Sequence, residues 1–177
     1  MKLPDNLTKF LQRCPELMHL DIEVTPPDVE MLDAWFGTDN GGYERFLHPF
    51  SQDGTGSIIA LWDPSGDEDY SSAPVVYLGS EGEIGVYGSD FNDCLRLIAT
   101  GLHAYDLVLW NNRTPFEELL QDADELAEAS KNHQSYVRWL EEKCGMKGPF
   151  DADALLAKQA EIRKNLEAWI EERTAAN

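Results

Sequence analysis

The pattern of hydrophobic and polar positions divides the chain into a helical start, a strand-rich middle and a helical second half. Apolar side chains recur at helical spacing over residues 5–20, where Pro15 interrupts the pattern, and again over residues 29–36. The Thr-Pro-Pro-Asp sequence at residues 25–28 is a helix-start signal, and Gly37 is placed to end that helix. The N-terminal part is therefore predicted to form a pair of helices.

The middle of the chain has the shorter pattern that is typical of strands. Continuous apolar runs at residues 57–62, 75–78 and 84–87 have strand length, and residues 43–50 are a weaker candidate. Short polar or glycine-containing turns connect these runs, at residues 51–56, 63–69 and 79–82. Because parallel strands need long crossover connections, the short turns predict an antiparallel meander.

Helical spacing returns after Ser89 and predicts four more helices. Ser89 can cap the first, which is expected to end at Gly101. The Thr-Pro-Phe-Glu sequence at residues 114–117 is a capping box with proline at the first helical position, so it predicts a helix to about residue 129. The last two helices are predicted around residues 136–145 and over residues 151–172. The pattern as a whole indicates an α+β fold with a small antiparallel sheet.

The charge of the chain changes which functions are expected. Thirty-three acidic and fourteen basic residues give a net charge of −19, and residues 46–130 hold sixteen of the acids but only two bases, Arg96 and Arg113. Such a protein repels nucleic-acid backbones and anionic lipid, so no direct nucleic-acid or membrane binding is expected. The acidic region is either a solubilising surface or a negative face that steers a basic partner toward the protein.

Cysteine usage and hydropathy predict a cytoplasmic protein. Cys14, Cys94 and Cys144 are widely spaced, and an odd number of thiols does not make a closed disulfide framework. The N-terminal residues lack the apolar run of a signal peptide, and no apolar stretch approaches the 18 residues expected of a membrane span.

Motifs for catalysis, cofactors and metals are weak or absent in the sequence. Asp53-Gly-Thr-Gly faintly resembles an aspartic-protease loop, but a glycine separates the Asp from the Thr. Glu81 and Glu83 are two residues apart, a spacing that on a strand would suit acid–base work, although such pairs are more often solvated turn residues. The four histidines have no metal-ligand spacing. We therefore predict no catalytic, cofactor-binding or metal-binding residues.

Three segments in order resemble the SUKH superfamily, of the Smi/Knr type. A Gln-Asp-Gly-Thr-Gly turn feeds an apolar strand within residues 50–62, Pro-Val-Val-Tyr-Leu-Gly-Ser-Glu-Gly-Glu occupies residues 74–83, and a strand leads into Asp-Cys-Leu-Arg-Leu-Ile-Ala at residues 93–99. The resemblance implies a central antiparallel sheet flanked by helices. It divides the chain into a SUKH-like α+β domain, residues 1–113, and a helical C-terminal extension, residues 114–177, packed on it as one folding unit.

The resemblance also implies a binding function, because many members are bacterial immunity proteins. We accordingly expect a non-catalytic immunity protein that neutralises a cognate toxin, of a basic nuclease type, through an acidic surface. The alternatives are a regulatory or scaffold module that docks through its C-terminal helices, and a hydrolase that uses Glu81, Glu83 or Asp53. The oligomeric state is left open. The residues expected to contact the partner are Asp53, Trp62, Asp67, Glu68, Asp69, Tyr70, Glu81 and Glu83.

Overall fold

The computed structural model of the protein describes residues 1–13, 23–24, 29–39 and 41–175. Its centre is an antiparallel sheet with strands in the order β1-β2-β3-β4-β5, and helices pack on this sheet. The strands are β1 (Glu23–Val24), β2 (Leu47–Gln52), β3 (Ile58–Trp62), β4 (Val75–Leu78) and β5 (Ile84–Gly88). The helices are α1 (Leu7–Leu11), α2 (Val29–Phe36), α3 (Phe91–Ile98), α4 (Ala104–Trp110), α5 (Ala123–Cys144) and α6 (Ala152–Thr174). The predicted α+β class with a central antiparallel sheet is confirmed.

Both faces of the sheet are buried, since successive side chains of a strand point to opposite faces. On β3, Ile59 and Leu61 belong to a hydrophobic cluster that also includes residues of α1, α3, α4 and α5. Ile58, Ala60 and Trp62 belong to a second cluster with residues of α2 and the C-terminal half of α6. The sheet is thus the middle of three layers, and this arrangement explains why β3 and β4 appear in the sequence as continuous apolar runs rather than alternating ones.

Helix α6 joins the two clusters by passing along the edge of the sheet. Leu155, near its start, packs in the first cluster, whereas Leu166, Trp169 and Ile170 pack in the second. Between these points α6 lies against β5, which has no strand on its outer edge among the described residues. A covered edge cannot pair with another chain. The boundary expected at residue 113 does not separate the clusters, because each of them contains residues from both sides of it.

The structure corrects two helix predictions in the second half. Residues 114–117 form no capping box, because Phe116 N–H donates to Gly101 O (3.0 Å) and His103 N–H donates to Thr114 O (2.8 Å), which holds Pro115 extended. Only a single 3-10 turn, Phe116–Glu118, follows. The long helix begins after Asp122, whose carboxylate accepts from two backbone N–H groups, and it continues unbroken through the gap that was expected between two helices.

Helix α4 was missed by the hydrophobic pattern, and the start of α3 was misplaced by one residue. Helix α4 is short and lacks a side-chain cap, so it carries little local signal. It can pack closely on β5 because Gly85 has no Cβ, which would lie 2.7 Å from Val108 Cγ1. At α3 the cap is Asp90, which accepts from Asp93 N–H (2.8 Å), and Ser89 instead donates to the Asp93 carboxylate.

Other predicted elements are confirmed or lie outside the described residues. The strands predicted at residues 57–62, 75–78 and 84–87 are present to within one residue at each end. The strand predicted more weakly at residues 43–50 begins only at Leu47, because a 3-10 turn, Tyr43–Arg45, precedes β2. Helix α1 covers the start of the first predicted helix, whose later part, together with the helix-start signal at residues 25–28, lies outside the described residues.

A buried carboxylate connects α3 to α6. Asp93 is only 2% exposed, and it accepts hydrogen bonds from Ser89 Oγ (2.5 Å), Arg96 Nη1 (2.6 Å) and Lys158 Nζ (2.8 Å). Burial alone would raise the pKa of Asp93, but the hydrogen bonds and positive charges outweigh it and lower that pKa below the ordinary value. The ionised carboxylate therefore fixes the C-terminal helix to the sheet domain.

We predict that Asp93→Asn lowers the free energy of unfolding by about 1–3 kcal/mol at neutral pH, because the buried position loses its charge-assisted hydrogen bonds to Arg96 and Lys158, whose side chains are partly exposed. Since the pKa of Asp93 is lowered in the folded state, its contribution is present above the ordinary carboxyl value of about 4 and is lost as the pH falls through the folded-state value. Urea unfolding at neutral and acidic pH measures both effects.

The control is Asp90→Asn, which retains the helix cap and should cost no more than about 0.5 kcal/mol. Equal costs for the two variants, or a cost for Asp93→Asn that persists unchanged into acid, would contradict a stabilising charge at Asp93.

Candidate binding surfaces

The meander divides the predicted partner-contact residues between two opposite ends of the sheet. The turn between β2 and β3 and the turn between β4 and β5 lie at one end, where Ser80 N–H donates to Ser57 Oγ (3.1 Å). The loop between β3 and β4 lies at the other end, about 13 Å away along the four residues of β4. Asp53, Glu81 and Glu83 are therefore brought together, and Asp67, Glu68 and Asp69 are not part of that group.

Asp53 organises the first turn from within. It is 7% exposed, and its Oδ1 accepts from Thr55 N–H (2.9 Å), Thr55 Oγ1 (2.6 Å) and Ser57 N–H (3.0 Å), while its Oδ2 accepts from Tyr77 OH (2.8 Å). Burial opposes ionisation of Asp53, yet the hydrogen bonds from Thr55, Tyr77 and Ser57 outweigh it, and the pKa of the carboxyl is lowered. The Asp-Gly-Thr-Gly sequence is thus a buried turn network, and its carboxylate is not available to a partner.

The two glutamates of the neighbouring turn do not form a paired acid–base site. Glu81 is exposed, and its backbone N–H donates to Glu83 Oε2 (3.2 Å). Tyr105 OH donates to the other oxygen of Glu83 (3.5 Å), so that side chain closes the turn against α4. Only Glu81 of this pair projects freely into solvent.

The loop at the opposite end, residues 63–74, is called the acidic loop here because it holds four acids and no base. Asp63 is buried and accepts from Ser65 N–H (3.0 Å) and Ser65 Oγ (2.6 Å), which closes the first turn of the loop. Lys2 joins the loop from far away in sequence: its N–H donates to Glu68 O (2.8 Å), and its ammonium group lies 3.3 Å from Asp69 Oδ2. The loop is therefore structured, and part of its charge is neutralised.

Two aromatic residues that were expected to anchor an interface are buried instead. Tyr70 is fully buried and its OH donates to Glu44 O (3.1 Å); burial and nearby carboxylates raise the pKa of Tyr70 to about 12. Trp62 is 4% exposed and packs edge-to-face on Trp169. Both side chains are therefore part of the protein interior. The exposed surface of the acidic loop is formed by Asp67, Glu68 and Asp69.

A second acidic surface is not among the residues expected to contact the partner, although its acids belong to the sixteen of residues 46–130. We call residues 117–128 the acidic segment; it holds six exposed acids and no base, namely Glu117, Glu118, Asp122, Asp124, Glu125 and Glu128. Within the described ranges, none of the six forms an ion pair with Lys or Arg. Leu119, in the middle of the acidic segment, is 47% exposed.

Part of the acidic segment has a structural explanation. Asp122 caps α5, and Asp124 and Glu125 lie in its first turn, where negative charge interacts favourably with the helix dipole. Glu117, Glu118 and Glu128 have no such role. The signal that could have identified this surface from the sequence is the run of six acids without a base.

Clusters of possible metal ligands and helices that could span a membrane are both absent from the part of the chain that the structure describes. No three side chains of His, Cys, Asp or Glu come close enough together there to hold a metal ion. None of the helices there combines the length and apolar character that crossing a bilayer requires.

Comparison with known proteins yields no relative: no family model, no characterised protein and no solved structure matches the chain. The resemblance to the SUKH superfamily therefore stays a prediction that rests on the three sequence segments.

We predict that Asp53→Asn lowers the free energy of unfolding by about 1–3 kcal/mol, because an amide cannot accept hydrogen bonds at both of its polar atoms and Tyr77 OH loses its acceptor. The control is Asp67→Asn on the exposed loop, which should change that free energy by less than about 0.5 kcal/mol. Denaturant unfolding gives both values. If Asp53→Asn leaves stability unchanged but weakens binding of a partner, Asp53 is a contact residue after all.

Proposed function

We propose that this protein is a non-catalytic, cytoplasmic immunity protein of the SUKH type, which binds and neutralises a basic toxin through its acidic surfaces. The observation that carries the proposal is the exposed acidic segment, whose carboxylates lack cationic partners among the described residues. Uncompensated charge of one sign raises the association rate of an oppositely charged protein, by about 10- to 1,000-fold at low ionic strength.

The arrangement of carboxylates favours binding over catalysis. The two acids with the strongest hydrogen bonding, Asp53 and Asp93, are buried in turn and helix contacts and keep lowered pKa values. A general acid at neutral pH needs a raised pKa instead. Glu81 and Glu83, which were considered for hydrolysis together with Asp53, are held in a turn by backbone and tyrosine contacts. What remains exposed is a set of carboxylates on loops and at the start of α5, which suits electrostatic recognition.

The charge of the proposed partner follows from the charge of this chain. A nuclease toxin carries a basic cleft for its substrate, and a protein of net charge −19 is a fitting complement for such a cleft. A partner of this kind would be captured strongly at low ionic strength and weakly at high ionic strength, because salt screens exposed charges beyond about 8–10 Å.

The proposal is tested by affinity capture from cells of the native host at low and at high salt, followed by mass spectrometry of the bound proteins. We expect a basic toxin domain to be captured and to be lost in high salt. The same toxin should stop growth when it is expressed alone and permit growth when it is co-expressed with this protein. Capture of a non-toxic partner that is insensitive to salt would favour the regulatory or scaffold alternative.

We further predict that Glu117→Lys, Glu118→Lys and Glu128→Lys together lower the association rate of that toxin at least tenfold at low salt. The triple reversal Asp67→Lys, Glu68→Lys and Asp69→Lys should have an effect of the same direction. Stopped-flow association measured over a range of salt concentrations gives the rates and their salt dependence.

The matched control is Glu142→Lys, Glu161→Lys and Glu171→Lys, three exposed positions outside both acidic surfaces. Each of the three variants changes the net charge from −19 to −13, since three acids become three bases. If the control slows association as much as the other two do, the partner responds to total charge, and neither acidic surface is its docking site.

A further inference from the structure

Trp110, the last residue of α4, is the most exposed tryptophan of the protein. It is 64% exposed. The other four tryptophans are buried or half-buried: Trp35, Trp62, Trp139 and Trp169. A single exposed apolar side chain needs no explanation by itself, so the surroundings of Trp110 decide whether it forms part of a binding surface.

Arginine covers the rings of other tryptophans in this structure. Arg13 lies 5.7 Å from the centroid of the Trp139 ring, and Arg173 lies 4.1 Å from that of Trp169. Every cation that stacks on a ring within the described residues is an arginine. Neither an arginine nor an aromatic ring of the described residues stacks on Trp110. Its ring is therefore accessible to a group from another molecule.

A chain of contacts connects Trp110 to the turn between β4 and β5. Tyr105 OH donates to Glu83 Oε1 (3.5 Å), and the Trp110 side chain hydrogen-bonds to the same tyrosine. The other oxygen of Glu83 accepts from Glu81 N–H (3.2 Å). The exposed indole therefore lies beside the carboxylates of this turn, and these contacts orient it before any partner binds.

The carboxylates near Trp110 make this surface negative. Asp106 lies four residues before Trp110 on α4, so the two side chains share one face of the helix. Glu83 contributes its charge from the turn, where Glu81 is exposed. His103 Nδ1 lies 3.5 Å from Asp106 Oδ1, but a histidine carries a positive charge only when it is protonated.

The two arginines that contact this part of the chain leave the negative charge uncompensated. Both donate to backbone carbonyl groups of residues 108–111, and each pairs with a carboxylate of α6, namely Arg113 with Asp153 and Arg163 with Glu167. Their charges are therefore matched by acids other than those of the turn. An anionic ligand is disfavoured beside Trp110, and a cationic one is favoured.

We propose that Trp110 is the stacking site for an arginine side chain of the basic partner, with Glu81 and Glu83 as the carboxylates beside it. The inference rests on the proposed function in so far as the arginine belongs to a toxin. A guanidinium group is planar and weakly hydrated, so it stacks on an indole and donates to carboxylates, whereas the ammonium group of lysine is a strongly hydrated point charge. Tryptophan and arginine are also the side chains that most often dominate the binding energy of an interface.

The test uses the full chain labelled with nitrogen-15 and three heptapeptides in which glycine alternates with arginine, with lysine or with citrulline, the neutral analogue of arginine. The five tryptophans give five indole N–H resonances, and Trp110→Phe assigns that of Trp110. We expect the arginine peptide to shift this resonance and to bind about threefold more tightly than the lysine peptide. The citrulline peptide should not shift it.

Trp110→Ala separates stacking from total charge, because it leaves the net charge unchanged. We expect it to weaken binding of the arginine peptide about three- to fivefold. The matched control is Leu119→Ala, which also truncates an exposed apolar side chain and should leave binding unchanged. Glu81→Gln should weaken the arginine peptide more than Glu142→Gln does, since both remove one exposed carboxylate and only the first belongs to this surface. The remaining indole resonances report whether each variant is folded.

With the captured toxin, Trp110→Ala should raise the dissociation rate about fivefold or more and change the association rate less than about twofold, because a stacking contact acts after the encounter. This is the opposite of the effect expected from the charge reversals in the acidic segment and the acidic loop.

The inference is overturned if the arginine peptide does not shift the Trp110 resonance up to about 1 mM, if the citrulline peptide binds as well, or if Leu119→Ala weakens binding as much as Trp110→Ala does. A Trp110 resonance that moves with protein concentration in the absence of peptide would mean that a second copy occupies the surface, and it would overturn the inference too. Its failure is distinguishable from that of the proposed function. A captured toxin that dissociates from Trp110→Ala at the unchanged rate removes the stacking site but retains immunity, whereas arginine binding without any captured toxin retains the site and removes immunity.

Discussion

The burial of β3 and β4 on both faces is the constraint on which the rest of this structure depends. A strand with apolar side chains on both faces needs a layer of helices on each side, and the chain supplies them from its two halves. Helices α1, α3, α4 and α5 cover one face; α2 and the end of α6 cover the other. Because α6 contributes to both layers, its attachment through Lys158, a half-exposed lysine that pairs with the buried Asp93 carboxylate, supports the packing of both layers.

The same constraint limits where binding can take place. With both faces of the sheet covered, only the ends of the strands and the outer surfaces of the helices remain accessible. A meander sends alternate turns to opposite ends, so the turn that contains Asp53 and the loop that contains Asp67 cannot belong to one surface. Acidic residues of these turns and loops, which cannot be told apart in the sequence, thus differ in burial. Asp53 and Asp63 are buried hydrogen-bond acceptors, whereas Asp67 and Glu81 are exposed.

The sequence predicts those elements whose signal is local. Apolar runs located β3, β4 and β5 to within a residue, since turn residues bound each run directly. Local signals failed where distant parts of the chain meet. The helix-start sequence at Thr114 was overridden by pairing with the segment after α3, and the acidic loop receives Lys2, which no local pattern connects to it.

Charge has a limited part in the proposed recognition, because it acts mainly on the approach of the partner. The acidic segment projects from the start of α5, where its carboxylates can attract a basic protein over a distance of about 10 Å, but exposed ion pairs contribute little affinity once formed. Since most affinity differences between related complexes lie in dissociation rates, a purely acidic surface would admit many basic partners, and discrimination among them would have to come from contacts other than exposed carboxylates.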